Sequence, residues 1–180
     1  MNGEPTDDAL MAQVKQGERR AFDCLFLRHQ RGVYLFALRL TQHGTQAEDI
    51  TQEVFLRVWR ARGAYQASGT FRAWLLTITR RLVWDAAKKR GVDTVPLQES
   101  DAVMDSAFAQ IARSEQEREL ERALNCLSAA LREVIILREM EGLAYAEIAR
   151  ITACPPGTVK SRLSAARARL RNALGNWSEE

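Results

Sequence analysis

Histidine and cysteine are scarce here: the chain of 180 residues has 2 His and 3 Cys. No CxxC pair occurs, and Cys24, Cys126 and Cys154 are scattered and odd in number, which excludes a zinc-ligand spacing and a disulfide framework. Cys24 and Cys154 sit among apolar neighbours and are expected to be small core residues. Paired carboxylates such as Glu48–Asp49 have no nucleophile or metal ligand beside them, and no glycine-rich phosphate loop is present. No catalytic residue, cofactor or metal site is therefore expected. No apolar run approaches membrane-spanning length, and the acidic first residues lack an apolar core of the signal-peptide kind. The expected location is the cytoplasm, without direct membrane insertion.

Acidic residues are absent from one long stretch, Ile148 to Ser178, which carries six basic ones. The net charge of +3 hides this asymmetry. Residues 1–90 sum to +6, residues 91–121 to −6 and residues 122–180 to +3. Two basic blocks divided by an acidic one suggest two modules facing nucleic acid and a connector that avoids phosphate. An apolar fraction of 46% with 27% charged residues is ordinary for a soluble globular chain.

Strand-like alternation is missing too, and helical periodicity dominates throughout. Thr6 is placed to cap a first helix ended by Gly17. A second helix is expected over about Glu18–Leu40, with Phe22, Leu25, Phe26, Val33 and Phe36 or Ala37 inward. Thr45–Glu48 has capping-box spacing at the start of a third helix running to about Arg62, whose core stripe is Ile50, Val54, Val58 and Ala61. Thr70 caps a fourth, Phe71–Arg90. Gly91 to about Asp105 has no stable periodicity and is expected to be a linker. A helix resumes near Ser106 and runs to about Cys126. The next, which Ser128 is placed to cap, has Leu131, Val134 and Ile135 inward and ends near Gly142. The expected fold is all-α: two small helical domains joined by a flexible linker, residues 1–90, 91–114 and 115–180.

The C-terminal segment is the most specific. Tyr145–Thr152 is a short helix with Ile148 and Ala149 inward. Pro155 and Pro156 stop it yet suit the first turn of a following helix. There Val159 and Leu163 face inward, while Lys160, Ser161, Ser164 and Arg167 lie mainly opposite. This is the outline of a helix-turn-helix whose second helix enters the DNA major groove. The competing reading is a solvated amphipathic helix of a bundle.

Two other surfaces carry chemistry. Asp49, Gln52 and Glu53 cluster near the start of the third helix, where carboxylates suit the dipole. Composition alone fits a solvated surface, but Phe55 and Trp59 recur beside the cluster and favour a protein-docking face. Further on, Tyr65, Phe71, Trp74 and Trp84 interleave with Arg72, Arg80, Arg81, Lys88, Lys89 and Arg90. Aromatics so placed can stack on unpaired bases while cations hold the backbone. Trp74 and Ile78 are expected in the core; for Tyr65 and Arg80–Arg81 nucleic acid is favoured.

Taken together, the chain resembles a bacterial RNA polymerase sigma factor of the extracytoplasmic-function (ECF) group. The resemblance rests on Ala47–Arg60, on Thr70-Phe-Arg-Ala-Trp-Leu-Leu-Thr-Ile78, and on Leu131–Val134 with Tyr145–Ala149 and Gly157–Leu163. It implies a transcription initiation factor that binds core RNA polymerase, directs it to promoter DNA and assists melting. By that resemblance Asp49, Gln52, Glu53, Phe55 and Trp59 grip polymerase. Tyr65, Ser68, Phe71, Thr77, Arg80, Arg81 and Lys88 read the melted minus-ten strand. Thr158, Lys160, Ser161, Arg162, Ser164 and Arg167 read the minus-thirty-five duplex. A membrane-linked anti-sigma factor is the expected inhibitor. Departures from the family pattern are Arg81 where Asn is common, Ala153 where the turn usually has glycine, Ser164–Ala165 where a bulkier pair is usual, and Ser128 for a proline. The rival is a stand-alone LuxR-like helix-turn-helix regulator; a pure protein-interaction module is a third reading.

Overall fold

The computed structural model of the chain describes residues 4–66, 69–89 and 115–174. Among them every regular element is helical, as the periodicity predicts. The first unit comprises α1 (Asp7–Lys15), α2 (Arg19–Thr41), α3 (Gly44–Arg60) and α4 (Phe71–Lys89). The second comprises α5 (Glu115–Asn125), α6 (Ala129–Ile135), α7 (Tyr145–Thr152) and α8 (Pro156–Leu174). The expected linker at 91–114 and the helix start near Ser106 lie outside the described residues.

Short polar side chains start two helices as expected. Thr6 Oγ1 accepts from the Ala9 N–H at 3.3 Å, and Thr70 Oγ1 from the Ala73 N–H at 3.2 Å. Each satisfies a backbone donor that the first turn leaves without a helical partner. The expected capping box at Thr45–Glu48 does not form. Helix α3 already begins at Gly44 behind His43, so Thr45 lies inside the first turn instead of ahead of it. Ser128 sits at the start of α6 in an extended conformation, but its side chain makes no capping bond. Its carbonyl alone accepts, from the Leu131 and Arg132 N–H groups.

Leu25, Val33, Phe36 and Ala37 of α2 are buried against α3 and α4, whereas Phe22 and Phe26 are half-covered. From α3 come Ile50, Val54 and Val58. Ala61 does not join them: α3 stops at Arg60, a short 3₁₀ turn follows at Arg62–Ala64, and Ala61 is exposed. Cys24 is exposed and not a core residue, whereas Cys154 is partly covered and packs against the core. Cys24 lies on the solvent face of α2, where apolar neighbours in sequence are not neighbours in space.

The helix expected to run to Gly142 changes pitch midway. Ile136–Met140 forms a π turn, closed by a 3.1 Å bond from the Glu141 N–H to the Ile136 carbonyl. Ile136 and Leu137 stay fully buried, while Glu139 and Glu141 are carried out toward other elements.

Arg132 holds the second unit from within. Its side chain is buried, yet its guanidinium donates to the carbonyls of Leu124, Asn125 and Leu127 at 2.9, 3.2 and 3.0 Å. Those carbonyls lie at and just beyond the end of α5, where only the Leu124 carbonyl also accepts a backbone bond, from the Leu127 N–H at 3.1 Å, so Arg132 serves as a C-terminal cap supplied from α6. Its fourth bond, 3.4 Å to the Arg39 carbonyl, crosses to α2 of the first unit. The two units meet there and where α4 lies against α7.

Candidate nucleic-acid and protein interfaces

Helix α3 turns its polar edge outward. Asp49 and Gln52 are exposed, and Glu53 Oε1 accepts from Arg57 Nε at 2.8 Å one turn along. That bond and nearby positive charge hold the Glu53 carboxyl below its ordinary range, so it is a fixed anion at neutral pH. Trp59 is half-covered, with Phe22 5.2 Å from its ring and the Arg62 guanidinium 4.5 Å from its centroid. Phe55 is placed differently: only 3% exposed, it packs edge-on against Phe26 at 4.8 Å and lies beneath the surface. The exposed apolar contact is its neighbour Leu56, at 48%. Leu56, Gln52, Trp59, Phe22 and Arg19 line one open groove between α2 and α3. The spacing 49, 52, 53, 56 continues the acidic edge by one turn and marks Leu56 in the sequence.

The second surface is built on α4 and the turn before it. Tyr65 and Phe71 are buried, and Tyr65 lies 4.8 Å from the ring of half-covered Trp74. The Tyr65 hydroxyl donates to Asp8 Oδ1 at 3.0 Å. Burial and that acceptor push the phenol up to about 12. Trp74, expected in the core, packs against it half-covered and also shares with Tyr65, Thr70 and Thr77 the wall of a cleft of roughly 180 Å³. Its opposite wall is Glu147, Arg150 and Ile151 of α7. Gly69, at φ +139, lets the chain turn beside the Arg150 guanidinium, 3.5 Å from where a Cβ would stand. Thr77 Oγ1 donates to the Ala73 carbonyl at 2.8 Å. Arg81 and Lys88 are exposed; Ser68 lies outside the described residues.

Arg80 and Arg72 of the same face cross to the second unit. Arg80 Nε meets Glu133 Oε1 at 2.5 Å, and Arg72 meets Glu141 Oε2 at 2.5 and 2.8 Å. The Glu133 carboxylate is 1% exposed, the Glu141 carboxylate 5%. Desolvation raises the Glu133 carboxyl above its ordinary value, and Arg80, Trp84 and Arg162 offset that only in part. A third ion pair joins Arg39 of α2 to Glu121 of α5 at 3.0 Å. Sequence periodicity gave no sign of these acceptors, because each pair spans 53 or more positions.

The third surface is α8. Val159, Leu163, Ala166 and Leu170 are buried, and Lys160, Ser161, Ser164 and Arg167 are exposed, as the pattern predicts. Thr158 and Arg162 are partly covered; the Arg162 guanidinium lies 3.8 Å from Cys154 Sγ, which is itself 3.0 Å from Thr152 Oγ1. Arg167 is not idle: it donates twice to Glu139 Oε1, at 2.7 and 3.2 Å. The turn between α7 and α8 passes through Ala153 at φ 52, ψ 41, the left-handed conformation that glycine adopts without strain. Among the described residues no cluster of three or more His, Cys, Asp or Glu could hold a metal ion, and no helix is long and apolar enough to cross a membrane.

Known proteins share this arrangement. Residues 25–92 match the family model for Sigma-70 region 2, and residues 117–170 match that for Sigma-70, region 4. The chain is similar to the RNA polymerase sigma-H factor of Pseudomonas aeruginosa, with 31% identity over 93% of each chain. It is also similar to the RNA polymerase sigma factor CarQ of Myxococcus xanthus, with 34% identity covering 94% of this chain and 98% of the relative. Likewise it is 31% identical to the ECF RNA polymerase sigma-E factor of Escherichia coli over 96% of both. Among solved structures, the sigma factor RpoE in complex with the anti-sigma factor NepR from Bartonella quintana superposes with a TM-score of 0.72 at 30% identity, covering 87% of this chain and 98% of that one. CnrH in complex with the cytosolic domain of CnrY gives 0.69 at 25% identity, covering 96% and 99%.

Proposed function

The chain belongs to the sigma-70 family of RNA polymerase sigma factors, in its extracytoplasmic-function group, and from that premise we propose how its surfaces divide the work. As a sigma factor it binds core RNA polymerase and directs it to promoters. Residues 1–90 dock on polymerase and hold the minus-ten element, residues 91–114 connect, and residues 115–180 read the minus-thirty-five element. The edge of α3 carrying Asp49, Gln52, Glu53 and Trp59 takes the polymerase; Gln52 and Trp59 line the apolar groove toward α2, and Asp49 and Glu53 the groove toward α4. Leu56 supplies the apolar contact that Phe55, buried beneath it, supports from behind. An exposed leucine and a half-covered tryptophan ringed by charge have the composition of a docking hot spot.

Helix α4 holds the melted strand through Arg72, Thr77, Arg80, Arg81 and Lys88, with Tyr65 and Trp74 walling a cleft for an unstacked base. Phe71 supports that wall from the core. Ser68 belongs to the same loop by sequence. In the major groove the reader is the exposed side of α8, through Thr158, Lys160, Ser161, Arg162, Ser164 and Arg167. The protein acts by binding and opening DNA, not by chemistry of its own, and does so in the cytoplasm. Solved relatives carrying anti-sigma partners support control by such a protein here.

One observation carries this reading: an exposed α3 edge with an apolar groove on one side and acidic residues on the other, and two basic faces, lie on separate helices of one chain, in the order of the two family matches. The test is gel filtration with core polymerase. Wild type should co-elute stoichiometrically. Asp49→Ala with Glu53→Ala, and separately Leu56→Glu, should abolish co-elution and promoter-specific transcription while helicity by circular dichroism is unchanged. Undiminished co-elution of both variants would remove the docking assignment. A free dimer on palindromic duplex, indifferent to polymerase, would favour the LuxR-like alternative.

A further inference from the structure

Arg167 of α8 is gripped by a carboxylate of its own unit. Its Nε and Nη2 both donate to Oε1 of Glu139, at 3.2 and 2.7 Å, across 28 positions of sequence. A guanidinium has five N–H donors in one rigid plane, so a contact along its Nε edge leaves others for a second partner. Both side chains stay about half exposed, Arg167 at 48% and Glu139 at 50%. Arg167 also continues the exposed stripe of Lys160 and Ser164, about 10 Å beyond Lys160 along the helix. Both ends of the grip are anchored. Arg167 is rooted between Leu163, Ala166 and Leu170, all buried. Glu139 stands in the π turn, a wide coil often found at functional sites. Ile136 and Leu137 fix the chain before it, and Arg138 fixes it after, donating to the Leu143 carbonyl at 2.9 Å with its guanidinium 5.2 Å from the Tyr145 ring. Glu139 holds the Arg167 guanidinium above its ordinary pKa, with burial opposing and Tyr145 adding least. An ion pair this exposed adds little to stability, so its place on the reading face calls for another role.

We propose that Glu139 is a positioning residue for duplex binding: it fixes the Arg167 fork against α8 so that the remaining donors meet a backbone phosphate. This rests on the duplex-reading role assigned to α8. A loose arginine has to be immobilised when DNA binds, and the lost rotamer freedom weakens the complex; an arginine already held loses less. Phosphate contacts do not depend on sequence, so the effect is present on any duplex. Its sign separates positioning from simple electrostatics. A carboxylate near phosphate repels it, so if Glu139 only neutralised Arg167, its removal would tighten binding. If Glu139 positions Arg167, its removal weakens binding even though the protein becomes more positive.

The test titrates the full chain with a fluorescein-labelled duplex of mixed sequence at several salt concentrations. Wild type is compared with Glu139→Ala, Glu139→Gln, Arg167→Ala, Lys160→Ala and the double variant Glu139→Ala with Arg167→Ala, each checked for helicity by circular dichroism. Arg167→Ala should weaken binding and flatten the slope of log Kd against log salt by about 0.9, the share of one duplex phosphate. Glu139→Ala should weaken binding about fivefold, the ordering of one long side chain, and leave the slope at its wild-type value because the cation remains. Glu139→Gln keeps an acceptor and should recover part of the loss. In the Arg167→Ala background Glu139→Ala should no longer weaken binding. Unchanged or tighter binding by Glu139→Ala overturns the positioning role, and so does an equal loss in the Arg167→Ala background. If Lys160→Ala weakens binding but Arg167→Ala does not, Arg167 is no phosphate contact and the proposal falls alone. If neither changes affinity or slope, the duplex-reading role of α8 falls with it. Should Glu139→Ala disturb the π turn, Glu139→Gln carries the test: weaker binding at constant slope supports positioning, and equal or tighter binding overturns it.

Discussion

The hydroxyl of Tyr65 donates to Oδ1 of Asp8 across 3.0 Å, tying the turn after α3 to the first turn of α1. Its ring packs against both Phe71 and Trp74, which also touch each other, with the Lys15 ammonium 5.6 Å from its centroid. The base cleft thus has one wall whose position depends on a helix far from it in sequence.

That wall has a pH signature. The folded phenol titrates at about 12 against an ordinary 10.0, so the folded state holds this proton more tightly than the unfolded one. The stability involved is complete below 10.0 and drains as pH rises from there to about 12. Tyr65 should therefore ionise late in an absorbance titration, and Tyr65→Phe should delete that late step. The same variant should lose about 1 kcal/mol at neutral pH, the net worth of one hydrogen bond.

The helix-turn-helix is strained at Ala153, which holds φ 52. Ala153→Gly should stabilise the protein by about 1 kcal/mol, seen as a higher urea midpoint at constant slope. Ala153→Val should do the reverse, because a β-branched residue fits the left-handed region worse than alanine.

Arg132 caps α5 from inside the core with bonds to Leu124, Asn125 and Leu127. Arg132→Met should leave the Asn125 and Leu127 carbonyls without that donor and cost about 3 kcal/mol, read as a lower Tm. Arg132→Lys should not rescue it, since a single ammonium cannot reproduce the planar fork that reaches all three.

The helices were legible because their information is local. Caps at Thr6 and Thr70, the inward stripe of α2 and the two faces of α8 each need only neighbours within about two turns, the range over which a helix repeats. Where a local rule misplaced an element, tertiary packing had overridden it. The capping box at Thr45–Glu48 vanished because α3 starts two residues earlier, and Ala61 fell outside the stripe because α3 stops before it. The π turn at Ile136–Met140 trades ideal pitch for burial of Ile136 and Leu137.

The candidate sites divide the same way. The acidic edge of α3 and the basic face of α8 were visible as spacings. Which aromatic is buried was not: Phe55 and Leu56 are adjacent in sequence, and only the positions of Phe22 and Phe26 on α2 decide that Phe55 goes inside.

From the amino-acid order alone come an all-α chain, a helix-turn-helix, two basic blocks parted by an acidic one, and the family resemblance these carry. Tertiary structure alone decided that Arg80 meets Glu133, that Arg72 meets Glu141, and that α7 caps the cleft beside Tyr65. Periodicity reports which side of a helix is apolar; it carries no record of which carboxylate, 53 or 69 positions away, will face a given arginine. That choice depends on how two finished helical units pack, where desolvation, charge and shape act together across the whole contact.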